Sequence, residues 1–399
     1  MWYCHQLGSR EHYAIPRALH AAGKLALLQT DSWVPPRWSG LLAALKQRSL
    51  GLRYHPDLAS ARVKAFTLGR LTFDLKARLA HREAWETILR RNAWFQKRAR
   101  PNLAATGAGD VVFSYSYTAR SLFVAAQSSG AACVLGQIDP GPGEFRWLRQ
   151  ALGKDAPLAE PPPQYWKEWR MEVSLADAIV VNSAWSRQLL LEEGVSPEKI
   201  VVVPLSYEPA AAAAPKGYPA RFTAERPLRA LFLGQVIARK GAGPLFEAIA
   251  QLAGEPVTFE IAGPAEVPVP DLPNLRYHGA VDRLTAERLY EEADVFLLPT
   301  WSDGFALTQL EAAAHRLPLI VSKNCGQVVE PEKNGLVLEE ISAAAIANAL
   351  RRCLAEPGLL ARFSAAGLDW EPFSLAALGG NLRVVEELAL ENAARRAKV

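Results

Sequence analysis

Asp303 and Glu311 stand eight positions apart in ADVFLLPTWSDGFALTQLEAAAHRLPLIV, the stretch from Ala293 to Val321. A buried strand leads into the loop holding Asp303 and Gly304, a helix carries Glu311, and a second buried strand follows. This layout sets a carboxylate beside a helix N-terminus at the carboxyl end of a parallel strand, where open α/β sheets take phosphorylated ligands. Gly304 permits a tight turn and Phe305 packs below it. The backbone N–H groups near Ala306 and Leu307 then lack helical partners and face an anion. Ribose hydroxyls would give Glu311 a partner. The plainer alternative is a surface glutamate and an aspartate that caps the helix.

A second constellation, LFLGQVIARKGAGPLFEA, ends a buried strand at Gly234 and places Arg239 and Lys240 in the turn before a helix. Glycine at a strand end allows close backbone approach. Two cations beside a helix start suit a diphosphate. On its own the motif is also read as a strand–helix turn with two solvated cations. The seven histidines form no H-x-x-x-H pair and no D-x-D occurs, so a bound metal has no evident ligands. His12 and His278 read as structural histidines. Trp33 and Trp38, in a Pro-rich loop, are candidates for an acceptor groove, and Ser114 and Tyr115 for the cleft.

These residues need a scaffold. Strands apolar throughout alternate with amphipathic helices, which predicts parallel sheets covered on both faces. In the first half the strands are Trp2–Gln6, KLALLQT, DVVFSY, ACVLGQI, ADAIVVNS and KIVVVPL; DPGPGE reads as a loop, and residues 31–102 as mostly helical. The Ala/Pro-rich segment Glu208–Pro227 reads as a linker. The second half runs LRALFLG, VTFEIAG, LRYHG, VFLLP, PLIVS and NGLVL, with helices between. The expected organisation is an N-terminal domain over 1–207, a linker over 208–227 and a C-terminal domain over 228–372, with the last helix packing back on the first domain. The fold class is α/β, two Rossmann-like domains with parallel sheets facing across a cleft.

At 399 residues, half of them apolar, the sequence has room for two cores. Cys4, Cys133, Cys325 and Cys353 form no C-x-x-C pair, which points to buried thiols in a reducing compartment. No apolar run reaches the ~18 residues of a membrane span. The start, MWYCHQ, has no basic n-region, and a cytoplasmic location is expected. Net charge is +4, distributed as 26 Lys+Arg against 17 Asp+Glu in residues 1–200 and 19 against 24 beyond. The basic first half suggests an anionic acceptor or peripheral contact with the inner face of an anionic membrane, against the plainer reading of a solvated helix face. Nucleic acid is not expected, because no base-reading module is present.

The second half resembles the retaining glycosyltransferases of family 4, which have the GT-B fold. Gly234, Arg239, Lys240 and Gly241 stand for that family's glycine–basic turn. Asp303, Gly304, Phe305, Ala306 and Glu311 stand for its E-x7-E motif. Resemblance is good over about 172–345, loose over the first 30 residues and nearly absent over 31–105. It implies transfer of a sugar from a nucleotide-diphosphate sugar to a carbohydrate, lipid-linked or other hydroxyl acceptor, in polysaccharide, glycolipid or glycoconjugate synthesis, with retention and without a metal or other cofactor. Arg239 and Lys240 would neutralise the diphosphate, Glu311 would hold the ribose, and Asp303 would touch the donor sugar. Gly263 and the backbone near Val281 would border the base. Gly8 and Ser9 would form the acceptor loop. The chain departs from the family pattern at Gln235, Asp303 and Arg316, and offers Gln137 and Asp139 where many members have histidine. A non-catalytic nucleotide-sugar-binding subunit is the alternative reading, and an epimerase or phosphorylase on this architecture is the third.

Overall fold

The computed structural model describes residues 1–36, 53–154, 156–209 and 213–398. Trp38 and the rest of 37–52 lie outside these residues, as do Asp155 and 210–212 within the expected linker.

Seven strands form the first sheet: β1 (Trp2–Gln6), β2 (Leu25–Thr30), β3 (Val63–Ala65), β4 (Val111–Tyr115), β5 (Ala132–Gly136), β6 (Ala178–Val181) and β7 (Ile200–Val202). Their order is 3-2-1-4-5-6-7. Six more form the second: β8 (Leu228–Leu233), β9 (Val257–Ala262), β10 (Leu275–Tyr277), β11 (Val295–Leu298), β12 (Leu319–Ser322) and β13 (Gly335–Leu338), in the order 10-9-8-11-12-13. Every pairing among them is parallel. Both orders are the doubly wound arrangement, the first extended by one strand. In each sheet the order reverses between two strands, β1 and β4 or β8 and β11, and a crevice opens at their carboxyl ends.

Burial explains the strand sequences. All residues of β4, β5, β6, β11 and β12 are buried, as central strands covered on both faces require. Helix starts are fixed by side-chain caps: Ser183 accepts from Ser186 N–H, Asp282 from Thr285, Ser342 from Ala345 and Ser374 from Ala377. All four cysteines are buried and free.

The last helix, Leu375–Arg396, buries Leu378, Leu382, Val385, Ala389 and Ala393 at helical spacing. That stripe joins the core under β1, β4 and β5 of the first sheet. Arg396 donates to both Asp177 carboxylate oxygens at 3.0 Å, and Asn392 Nδ2 to the Asp177 carbonyl at 2.9 Å.

Three elements differ from expectation. DPGPGE is a loop only to Gly141; a helix, Pro142–Leu152, begins inside it, because proline suits the first helical position. β3 interrupts a segment read as helical. It is a three-residue edge strand with no fully buried side chain, so it leaves no apolar signature. A further helix, Pro357–Ala366, follows Ala343–Ala355 at once in a stretch given no element above, with proline at its first position.

Candidate active site

The carboxyl ends of β8, β9 and β11 build one wall. After β8 the chain turns at Gly234, whose carbonyl lies so close to Gly263 that a β-carbon on Gly263 would sit 1.8 Å from it. Only glycine fits there. Gln235 is exposed and Val281 packs partly against the domain core. A short 3-10 turn, Ala238–Lys240, then presents the two cations. Arg239 Nη1 donates to the Ser302 carbonyl at 2.6 Å, and Lys240 Nζ pairs with the Asp303 carboxylate.

The loop Pro299–Ala306 after β11 is held from below. Asp303 N–H donates to the Asn324 carbonyl at 2.8 Å, Asn324 Nδ2 to the Trp301 carbonyl at 2.9 Å, and Gln309 Nε2 to the Cys325 carbonyl at 2.8 Å. The helix Leu307–Ala314 follows. One expectation is corrected here. The Ala306 N–H donates to the Cys325 carbonyl at 3.3 Å, so the amides left without an intrahelical partner begin at Leu307. Gly304 sits close to the other domain: a β-carbon on it would lie 3.3 Å from the Ile138 carbonyl. Phe305 packs against Phe373 and over Gly326. Glu311 Oε2 accepts from Tyr290 Oη at 2.8 Å, and the Tyr290 ring stacks on His315.

The facing wall comes from β5. Asp139 Oδ1 accepts from Tyr117 Oη at 2.8 Å and from Gly141 N–H at 2.9 Å. Burial raises its pKa, against the lowering effect of those donors. A cavity of about 190 Å³ between the walls is lined by Asp139, Glu144, Trp166, Arg239, Asp303 and Gly304 among others. Two tryptophans fasten the walls: Trp147 Nε1 donates to the Trp301 carbonyl at 3.1 Å and Trp185 Nε1 to Ser302 Oγ at 2.8 Å.

Residues 227–356 match the family model of the glycosyl transferases group 1. A 76-residue stretch is 40% identical to a probable sucrose-phosphate synthase 1 of Craterostigma plantagineum, covering 18% of this chain and 7% of that relative. Among solved structures, a sucrose-phosphate synthase of Thermosynechococcus elongatus superposes with TM-score 0.66 at 18% identity, covering 96% of this chain and 98% of the other. HepE of Anabaena, solved in complex with UDP, gives TM-score 0.61 at 14% identity over 97% and 99%. The chain has the GT-B fold, and within it residues 227–356 are similar to the glycosyl transferases group 1.

In this GT-B cleft, Arg239, Asp303, Gly304 and Asp139 come together around one cavity, and Lys240 pairs with Asp303 beside it. Gly234, Gln235 and Gly263 stand at the adjoining strand ends, and Glu311 one helical turn beyond the Leu307 amide. Gly8 lines a different cavity, in the first domain, with Tyr115. Ser9 precedes a short 3-10 turn and makes no side-chain cap. Ser114 is buried at hydrogen-bond distance from Thr118, away from the cleft. Trp33 packs between Tyr13 and Tyr54. Arg316 adopts a left-handed backbone, and its side chain is tied to the Ala213 carbonyl at 3.1 Å. Among the described residues no cluster of three or more His, Cys, Asp or Glu could hold a metal ion.

Glu144, Tyr117, Tyr290, Trp147 and Trp185 carry no motif and were not legible as site residues. Glu144 is the most consequential. It is buried 3.9 Å from Arg239, with Asp139 and Asp303 nearby. Burial pushes its pKa up to about 7; Arg239 lowers it and the two aspartates raise it further. A folded-state value above the unfolded one gives stability that is fully present below pH 4.5 and is lost as pH rises through about 7. Glu144→Gln is therefore expected to leave the melting temperature unchanged near pH 4.5 and raise it at pH 8. The rise from 4.5 to about 7 corresponds to about 3 kcal/mol at most. Melting curves of both proteins across that range check it; parallel curves would mean that Glu144 is ionised throughout.

Proposed function

We propose that this protein transfers a sugar from a nucleotide-diphosphate sugar to an acceptor hydroxyl with retention of anomeric configuration. The observation that carries the proposal is the convergence of Arg239, Lys240 and the Leu307 helix start with Asp303 at the β8–β11 switch point, facing Asp139 across the interdomain cavity. Two cations and a helix N-terminus suit a diphosphate. The likeness to HepE, solved with UDP, supports a uridine nucleotide.

In this reading the bond between the anomeric carbon and the diphosphate oxygen breaks first. The developing charge on the diphosphate is met by Arg239, Lys240 and the helix start. The acceptor oxygen bonds to the same face of the sugar, and its proton passes to the departing diphosphate. Because protein cations supply the charge, no metal is required. Glu311 binds the ribose and Asp303 the donor sugar. Gly234, Gly263 and Val281 border the base. The tryptophan contacts across the cleft keep water from the reacting centre. The acceptor is a carbohydrate, lipid-linked or other hydroxyl compound of the cell envelope, used in the cytoplasm or at the inner face of its membrane. No helix among the described residues is long and apolar enough to cross a membrane. Leu68, Leu71, Leu75 and Leu79 line an exposed face of the helix Thr67–Leu79, with Lys76 and Arg78 on the same helix, which supports peripheral contact.

The test is a thermal-shift screen with UDP, GDP, ADP, TDP and CDP without added metal. A ligand that binds only the folded state raises the melting temperature. UDP is expected to raise it most, and Glu311→Gln to weaken UDP binding by about tenfold, the worth of one charge-assisted hydrogen bond. No shift with any nucleotide would overturn the proposal. Binding without transfer would leave a nucleotide-sugar-binding subunit.

A further inference from the structure

The first domain has its own switch-point cavity, of about 270 Å³, at the carboxyl ends of β1 and β4. Four arginines line it, Arg10, Arg53, Arg70 and Arg91, against one carboxylate, Asp31. Asp31 is buried and fully engaged. It accepts from Arg53 Nη1 at 3.1 Å, Arg70 Nη1 at 2.8 Å and Gly8 N–H at 2.9 Å. Arg70 Nε also donates to Asp74 at 2.7 Å. Asp31 thus aims two guanidinium groups into the cavity without neutralising the set.

Arg91 is left over. Its Nε is buried and has no hydrogen-bond partner among the described residues. Burial and the neighbouring Arg70 depress its pKa. A buried guanidinium N–H without an acceptor is costly, and its natural complement is an oxyanion. Arg10 lies over the Tyr115 ring, 5.7 Å from its centre, on the opposite side.

This cavity and the interdomain one share Trp85, Ile138 and Tyr165 as walls. The two cavities therefore adjoin, so a molecule with one end seated among the arginines can reach toward Asp139 with the other. We propose that the arginine cavity seats a phosphoryl group carried by the acceptor. This rests on the glycosyl-transfer reading for the word acceptor, but the anion site stands on its own geometry. A soluble sugar phosphate and a phospholipid headgroup share this chemistry.

The test is calorimetric titration with inorganic phosphate, a hexose 6-phosphate, the unphosphorylated hexose, and vesicles of phosphatidylglycerol or phosphatidylcholine. Each titration is run with and without saturating UDP, on the wild-type chain, Arg91→Gln and Arg91→Lys. At least one phosphate-bearing probe is expected to bind ten times tighter than its phosphate-free or neutral counterpart. Arg91→Gln should lose at least tenfold for that probe, Arg91→Lys less, and both should bind UDP as the wild type does. Preference for hexose 6-phosphate identifies a soluble acceptor; preference for phosphatidylglycerol identifies a lipid one. Because Arg91 makes no hydrogen bond among the described residues and burial opposes its charge, Arg91→Gln should melt no lower than the wild type. Equal binding of charged and uncharged probes, or an unaffected Arg91→Gln, would overturn the proposal, as would no binding of any probe. Failure of UDP alone to bind would overturn the donor reading and leave the phosphate titrations interpretable.

Discussion

Lys240→Ala is expected to slow sugar transfer by about 10²- to 10³-fold, the size seen when one preorganised charge-stabilising group is removed. The side chain sits at the end of the Ala238–Lys240 turn, 13% exposed, paired with an Asp303 carboxylate that is 16% exposed. This pair keeps both charges compensated inside the cleft. In the proposed reaction the ammonium gains a second set of anionic oxygens from the donor, and Asp303 is released toward the sugar hydroxyls. On that proposal the alanine variant loses the cation that meets the departing diphosphate and strands Asp303. Nucleoside diphosphate affinity is expected to fall by more than ~1 kcal/mol, in line with a lost charge-assisted hydrogen bond. A transition-state role requires the larger loss to appear in kcat. The double variant Lys240→Ala, Asp303→Ala separates the two effects, since it removes the stranded carboxylate with the lysine. If it regains the wild-type rate, Lys240 served only to neutralise Asp303; if transfer by Lys240→Ala is unchanged, the diphosphate lies elsewhere.

The parts of this site legible in the sequence are those whose chemistry is local. Arg239 and Lys240 lie within seven residues of Gly234, and Asp303 to Glu311 within one loop and one helix. Strand periodicity places both segments at carboxyl ends of parallel strands. The opposite wall is not local. Glu144 comes near Arg239 only because two domains close on each other, and nothing in PGPGEFRW marks that glutamate as buried. The same holds for Trp147 and Trp185, which reach loop 301–302 from separate helices of the other domain. Arg53, Arg70 and Arg91 look like solvated helix charges in sequence. Arg53 and Arg70 converge on Asp31 beyond the end of β2, and Arg91 joins them in the cavity wall. The Ala306 amide was misread because its acceptor, Cys325, follows the next strand. In each case the missing information was a tertiary contact, never a residue propensity.

Glu172→Ala is expected to destabilise the first domain by about 3 kcal/mol or more, because three amides lose one acceptor. Glu172 is fully buried on the helix Pro163–Leu175. Its carboxylate accepts from Ala119 N–H at 2.7 Å, Arg120 N–H at 3.1 Å and Tyr117 N–H. These groups begin the helix Arg120–Ser128, whose own residues provide no side-chain cap. Glu172 therefore caps it from another element. It also pins Tyr117, whose left-handed backbone (φ 72°) is unfavourable for a bulky residue and persists only when its surroundings hold it. From there Tyr117 Oη reaches Asp139 at 2.8 Å, so one buried glutamate helps set the position of the carboxylate that lines the interdomain cavity opposite Asp303. Its loss is expected to act twice. The melting temperature should fall, and transfer measured where the variant is still folded should lose kcat while UDP affinity stays at the wild-type value, since the proposed nucleotide site lies in the other domain. Tyr117→Phe removes only the last link. It should reproduce the loss of kcat with a smaller drop in stability, because the three amides keep their acceptor. If Glu172→Ala lowers stability by under about 1 kcal/mol, water has replaced the carboxylate at these amides. If kcat survives in both variants, Asp139 is positioned by Gly141 N–H and Gln137 alone.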